Sequence, residues 1–199
     1  MAGANHETPI ATGADMRWDE LFDDLEAQLD EAATAELAAE VADRSRRELA
    51  LVRLVDRLRP VLGQPITVRV RGAGNVEGQL TAVGPDWLLL AEVGGRECLV
   101  ATAAVVSIGG LAAQTAMPHS EGEVTARLTL TFALRGIVRD RSAVAVTLVD
   151  GSTTAGTVDR VGADFLELAE HPAGEPRRRD AVRSVRAYSL AAVALVRRA

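Results

Sequence analysis

At 199 residues and 21.0 kDa, with 48% hydrophobic and 25% charged residues, the chain carries apolar material for one or two modest cores. Aromatic residues make up only 3%, so the core has to be built from Val, Leu, Ile and Ala, and the single cysteine, Cys98, excludes an intrachain disulfide or a cysteine-based zinc site. No run reaches the roughly 18 apolar residues of a membrane span, and Met1–Asp15 lacks the basic and apolar regions of a signal peptide, so the expected location is the cytoplasm.

Residues 1–15 read as a disordered tail. Asp15–Asp43 then holds eleven acidic residues against Arg17 alone, a net of −10 that exceeds the −6 of the whole chain. Within it Trp18, Leu21, Phe22, Leu25 and Leu29 fall at helical spacing, so residues 16–46 are expected to form an acidic amphipathic helix. Such a helix packs on its own domain or docks into a partner's groove, and its carboxylates repel anionic membranes and nucleic acid. Every one of the 22 basic residues is an arginine, which reflects a GC-rich coding sequence more than chemistry.

A second helical pattern follows, carried by Leu51, Leu54, Val55, Leu58 and Leu62. Ile66, Val68 and Val70 then alternate with polar residues as a half-buried strand does. Gly78 opens a further strand, Gly84-Pro85 turns into Trp87–Glu92, and Gly94-Gly95 turns into Arg96–Val100. Val105–Ile108 closes the set. Gly109–His119 is a linker, and Ser120 with Glu123 forms a capping-box pair before Val124, Leu128, Leu134 and Val138.

The remaining residues repeat this order. Gly78–Glu92 aligns with Gly156–Glu170 at eight identical positions of fifteen, and Trp87 lies over Phe165. The match extends back to Ile66 over Val144, and Ala103-Ala104-Val105 lies over Ala191-Ala192-Val193. Leu58-Arg59-Pro60-Val61 and Leu134-Arg135-Gly136-Ile137 mark matching helix ends. The second copy has about ten extra residues around His171–Arg183, by the offset between the two matches.

A helix, a strand, a glycine-rich hairpin, then G-x-[LV]-x-x-V-G-x-D-[WF]-L-x-L and a valine-rich strand resemble the Sm-like family over Arg47–Ile108 and Leu128–Val196. The resemblance implies a mainly β fold with helices (α+β): two tandem five-stranded small barrels, each preceded by an α-helix, plus the acidic N-terminal arm. It also implies assembly through outer strands and RNA binding. Asp86 and Asp164 stand where that family's RNA-reading loop carries Asn, and Ile108-Gly109-Gly110 and Val196-Arg197-Arg198 each keep only half of its basic-Gly pair. The expected organisation is a tail over 1–15, the acidic helix over 16–46, helix and first barrel over 47–110, a linker over 111–119, and helix and second barrel over 120–199.

No nucleophile, base and orienting group recur at catalytic spacing, so no enzyme, cofactor or small-molecule substrate is expected. His6, His119 and His171 sit at no metal-ligand spacing, and Cys98 lies in an apolar strand as a buried thiol does. The one basic cluster, Arg177, Arg178, Arg179, Arg183 and Arg186, suits RNA phosphate or an acidic protein surface, or is a solvated loop. The sequence is therefore expected to encode a non-enzymatic adaptor that engages a protein partner or itself, with an RNA-binding regulator as the alternative.

Overall fold

In strand β1 (Pro65–Val70) the side chains of Ile66, Val68 and Val70 are buried and alternate with more exposed ones, so the two-residue period sets one face of a sheet. The structure, a computed structural model, describes residues 15–117, 122–173 and 181–198. It divides into two units, Met1–Leu51 and Val52–Ala199.

The first unit is a single helix, α1 (Asp15–Ala50), 36 residues long. Arg44 pairs with Glu48 at 3.1 Å and Arg46 with Asp43 at 3.5 Å, one turn apart on its surface. Trp18, Leu21, Phe22, Leu25 and Leu29 are all exposed along it.

The second unit is built on ten antiparallel strands. After β1 come β2 (Gly74–Val83), β3 (Trp87–Ala91), β4 (Glu97–Ala101) and β5 (Val105–Gly109). The second half supplies β6 (Ala143–Leu148), β7 (Thr153–Val161), β8 (Phe165–Glu170), β9 (Ser184–Ser189) and β10 (Val193–Arg198). Their order across the sheet is β5-β1-β2-β3-β4-β10-β6-β7-β8-β9. Register repeats between halves: Ile66 faces Gly78 as Val144 faces Gly156. Bulges recur too, between Leu80 and Ala82 and between Val158 and Arg160, each bending its strand.

Gly78 and Gly156 lie inside β2 and β7 instead of opening strands there. A Cβ at either would collide with a main-chain carbonyl across the ladder, that of Ala91 or Ala169, so close backbone approach requires glycine.

The two closed barrels implied by the Sm-like resemblance do not form. β5 pairs with β1, and β4 spends its second edge on β10. Each five-strand set thus stays open, and among the described residues the ten strands make one open sheet with two free edges, β5 and β9. The physical reason lies in the side chains. Cys98–Ala101 of β4 and Val193–Val196 of β10 are buried throughout, so each apolar strand is covered by joining the other half.

Helical segments cover the sheet from one cluster to the next. α2 (Leu54–Leu58) and the 3-10 turn Arg59–Val61 bury Leu58 and Val61 over a first core of Val68, Val76, Leu80, Leu88 and Leu90. Its apolar spacing does not continue α1. Arg53 is extended, at φ −91° and ψ 162°, and its N–H donates to the Asp56 carboxylate at 2.9 Å. Asp56 is wholly buried and also pairs with Arg59 at 3.2 Å.

In the second half a short α3 (Glu123–Ala126) precedes α4 (Leu130–Asp140), which buries Leu130 and Leu134. The Ser120 expected to cap this region lies outside the described residues. The core under α4 draws on both halves: Leu99 and Ala101 join Val144, Val146, Leu166, Leu168 and Val196. Among the described residues, no helix is long and apolar enough to cross a membrane.

Candidate functional site

The seam between the halves is a main-chain ladder with Leu195 opposite Val100, Val196 opposite Leu99 and Arg197 opposite Cys98. Arg197 Nε donates to both Glu92 oxygens at 3.1 Å, and Arg198 pairs with Glu97 at 3.2 Å and Asp140 at 2.6 Å. The pairs with Glu92 and Glu97 tie first-half carboxylates to the last strand of the second half, and Asp140 adds a carboxylate from the second half itself. Burial and the bonds to Glu92 act in opposite directions on Arg197, and its pKa is raised.

A second tie runs over the sheet. Asp86 accepts the Leu130 N–H at 2.7 Å, and Trp87 Nε1 donates to the Leu128 carbonyl at 2.6 Å. The turn before β3 thereby holds the start of α4. Sequence reasoning placed Asp86 as a position repeated at Asp164 and as a departure from a family's RNA-reading loop, and assigned it no contact.

At the outer edges the same repeat positions face solvent. Val106 of β5 is 58% exposed and its counterpart in β10, Ala194, 0%. Leu54 is 39% exposed against 8% for Leu130. Phe165, counterpart of Trp87, is exposed, as are Ala187 and Ser189, counterparts of the buried Leu99 and Ala101. Part of this contrast was readable in the sequence by comparing copies: the inner strands have Leu99, Ala101 and Leu195 where the outer ones have Ala187, Ser189 and Ser107, whereas the exposed Val106 is larger than the buried Ala194.

Between α4 and the seam opens a cleft of about 200 Å³, lined by Trp87, Leu99, Ala133, Gly136, Ile137 and Val196, with Arg198 and two carboxylates at its rim. The corresponding place beside α2 is covered. After β5 the chain turns back, and Leu111 and Ala112 pack on the first core. Arg57 donates to the carbonyls of Ala112 at 2.8 Å and Ala113 at 3.0 Å and to the Thr115 hydroxyl at 2.9 Å, while the Ala116 N–H reaches the Asp56 carbonyl at 2.9 Å.

The arginine cluster divides. Arg177, Arg178 and Arg179 lie outside the described residues. Arg183 and Arg186 are exposed on and before β9, and Arg186 faces Glu170 at 3.4 Å. Ser184 donates to Glu170 at 2.6 Å, and Tyr188 donates to its other oxygen. Those two bonds, with Arg186, hold the Glu170 carboxyl below the usual carboxylate range, and burial beside it pushes the Tyr188 phenol up.

His6 and His119 also fall outside the described residues. His171 is buried: its Nδ1 lies 3.0 Å from the Pro172 carbonyl and its Nε2 2.8 Å from the Thr157 hydroxyl. The carbonyl can only accept, so Nδ1 donates to it, while either Nε2 or the Thr157 hydroxyl can be the donor in the second bond. Burial pushes the Cys98 thiol up to about 12, which leaves it a packing residue without thiolate character. Among the described residues, no group of three His, Cys, Asp or Glu side chains could hold a metal ion.

No family model matches the chain, and no curated protein matches it. With the open sheet, this overturns the Sm-like assignment.

Proposed function

We propose that the protein is a non-enzymatic binding protein of the cytoplasm that assembles with copies of itself by pairing the free β9 edge of one chain with the free β5 edge of the next. The observation that carries this reading is the seam. Within one chain the fourth strand of one copy already pairs with the fifth strand of the other, and the outer edges are the same two strands left without that neighbour. Applying the seam register by repeat position sets Ser107 opposite Tyr188, Ile108 opposite Ala187 and Gly109 opposite Arg186.

Magnitudes make this contact weaker than the seam. Burying a Val or Leu side chain contributes about 1.5–3 kcal/mol, and the seam has Leu99, Leu195 and Val196 where the outer edges have Ala187, Ser107 and Ile108. The Arg197–Glu92 bridge has no counterpart either, since Gly109 replaces the arginine. Assembly is therefore reversible and concentration-dependent, and it is head-to-tail, so copies add in one direction. Sedimentation velocity across a concentration series tests it. The weight-average mass rises with concentration for the native chain and stays monomeric for Val106→Glu, a change at an exposed position. A mass that stays monomeric for both, or rises equally for both, removes the proposal.

A further inference from the structure

We infer that the cleft between α4 and the β4–β10 seam is a binding site for an extended peptide, an apolar residue followed by small ones, supplied by a partner protein. The inference is independent of edge pairing and rests on a difference between the two halves. By repeat position, Arg57 corresponds to Ala133, Pro60 to Gly136, Val61 to Ile137 and Gly110 to Arg198. In the first half the irregular segment from Gly110 to Ala116 runs over this face, with Leu111 and Ala112 against the core and its main chain held by Arg57. In the second half the same path, from Arg198 to Ala133, is the open cleft.

The first half thus shows what chemistry this face takes: a segment without helix or strand led by leucine, with the Ala112 and Ala113 carbonyls held by the helix residue Arg57. The second half keeps the apolar floor, in Leu99, Ile137 and Val196, and widens the entrance by replacing Arg57 with alanine and Pro60 with glycine. A Cβ at Gly136 would meet nothing within 4 Å, so the glycine leaves room above the helix although glycine disfavours a helix interior. Polar anchoring passes from Arg57 to Arg198 at the rim, whose guanidinium sits between Glu97 and Asp140 with donors to spare for peptide carbonyls.

The test uses full-length Trp18→Phe protein, in which Trp87, a wall of the cleft, is the sole tryptophan. The probe is the synthetic peptide acetyl-Gly-Leu-Ala-Ala-Gln-Thr-Ala-amide, the sequence of residues 110–116. A saturable change in Trp87 emission is expected. Gly136→Leu fills the cleft from a position with open space and should weaken binding by about tenfold, as should Gln for Leu in the peptide, each costing the burial of one apolar side chain. A flat titration into the millimolar range overturns the inference. So does a response that survives Gly136→Leu, or one that the glutamine peptide reproduces.

Discussion

The carboxylate of Asp86, on the turn before β3, accepts the backbone N–H of Leu130, the first residue of α4, at 2.7 Å. One residue on, Trp87 bonds the Leu128 carbonyl. The helix covering the second half is thus started by the first half, without a capping side chain from Thr129. Replacing Asp86 with Ala should cost about 1 kcal/mol, the usual value of a helix-capping side chain. Asp164, the exposed counterpart, should cost nothing measurable when replaced in dilute protein. Urea unfolding of the two variants compares them directly, and equal losses would show that Asp86 does not hold α4.

Asp56 is the one wholly buried carboxylate of the described core, bonded to the Arg53 amide and paired with Arg59. Asp56→Ala removes the ion pair with Arg59 and the bond to the Arg53 amide, and so releases the start of α2. A loss of about 3 kcal/mol follows for breaking such a pair from one side. Chemical denaturation reads this as a lower midpoint with an unchanged slope.

Glu170 sets an acid limit. Its folded pKa lies below its unfolded value, because Ser184 and Tyr188 bond the ionised form and Arg186 faces it. Its contribution is complete above the unfolded value, near pH 4.3, and is lost as pH falls through the folded one. Tyr188 runs the other way: its raised pKa means that its contribution is complete below about pH 10 and fades as the pH rises through the folded value. Glu170→Gln should flatten the acid side of a plot of melting temperature against pH. An unchanged acid slope would place the acid-sensitive group elsewhere.

Cys98 should resist alkylation. With the thiol buried and its pKa pushed up to about 12, almost no thiolate exists at pH 8, so iodoacetamide labelling should proceed only as fast as the sheet opens. Labelling of native protein at the rate of a free thiol would contradict the burial of β4.

Much of the sheet is legible in the sequence, for a local reason. Side chains alternate across a strand whatever the strand pairs with, so Ile66, Val68 and Val70 report their own burial. Which strand lies alongside is not local. Backbone bonds are alike for every partner, and Cys98-Leu99-Val100 reads equally well as the wall of a small barrel or as the middle of a long sheet. Part of the choice emerges when copies are compared, Leu99 against Ala187 and Leu195 against Ser107. The start of α2 is hidden for a similar reason. Leu51 and Leu54 keep helical spacing, yet the Asp56 side chain bonds the Arg53 amide and breaks the helix between them. The cleft beside α4 depends on chain crossing from both halves, which no single window of sequence contains.

Head-to-tail edge pairing is tested most directly with two single-cysteine additions, Gly109→Cys on the β5 edge and Arg186→Cys on the β9 edge, mixed and oxidised. Both positions are exposed, and the seam register sets them opposite each other across the contact. Pairing in that register predicts disulfide-linked heterodimers in the mixture and none in either variant alone. Homodimers of equal yield, or no covalent dimer in a concentrated mixture, would contradict it.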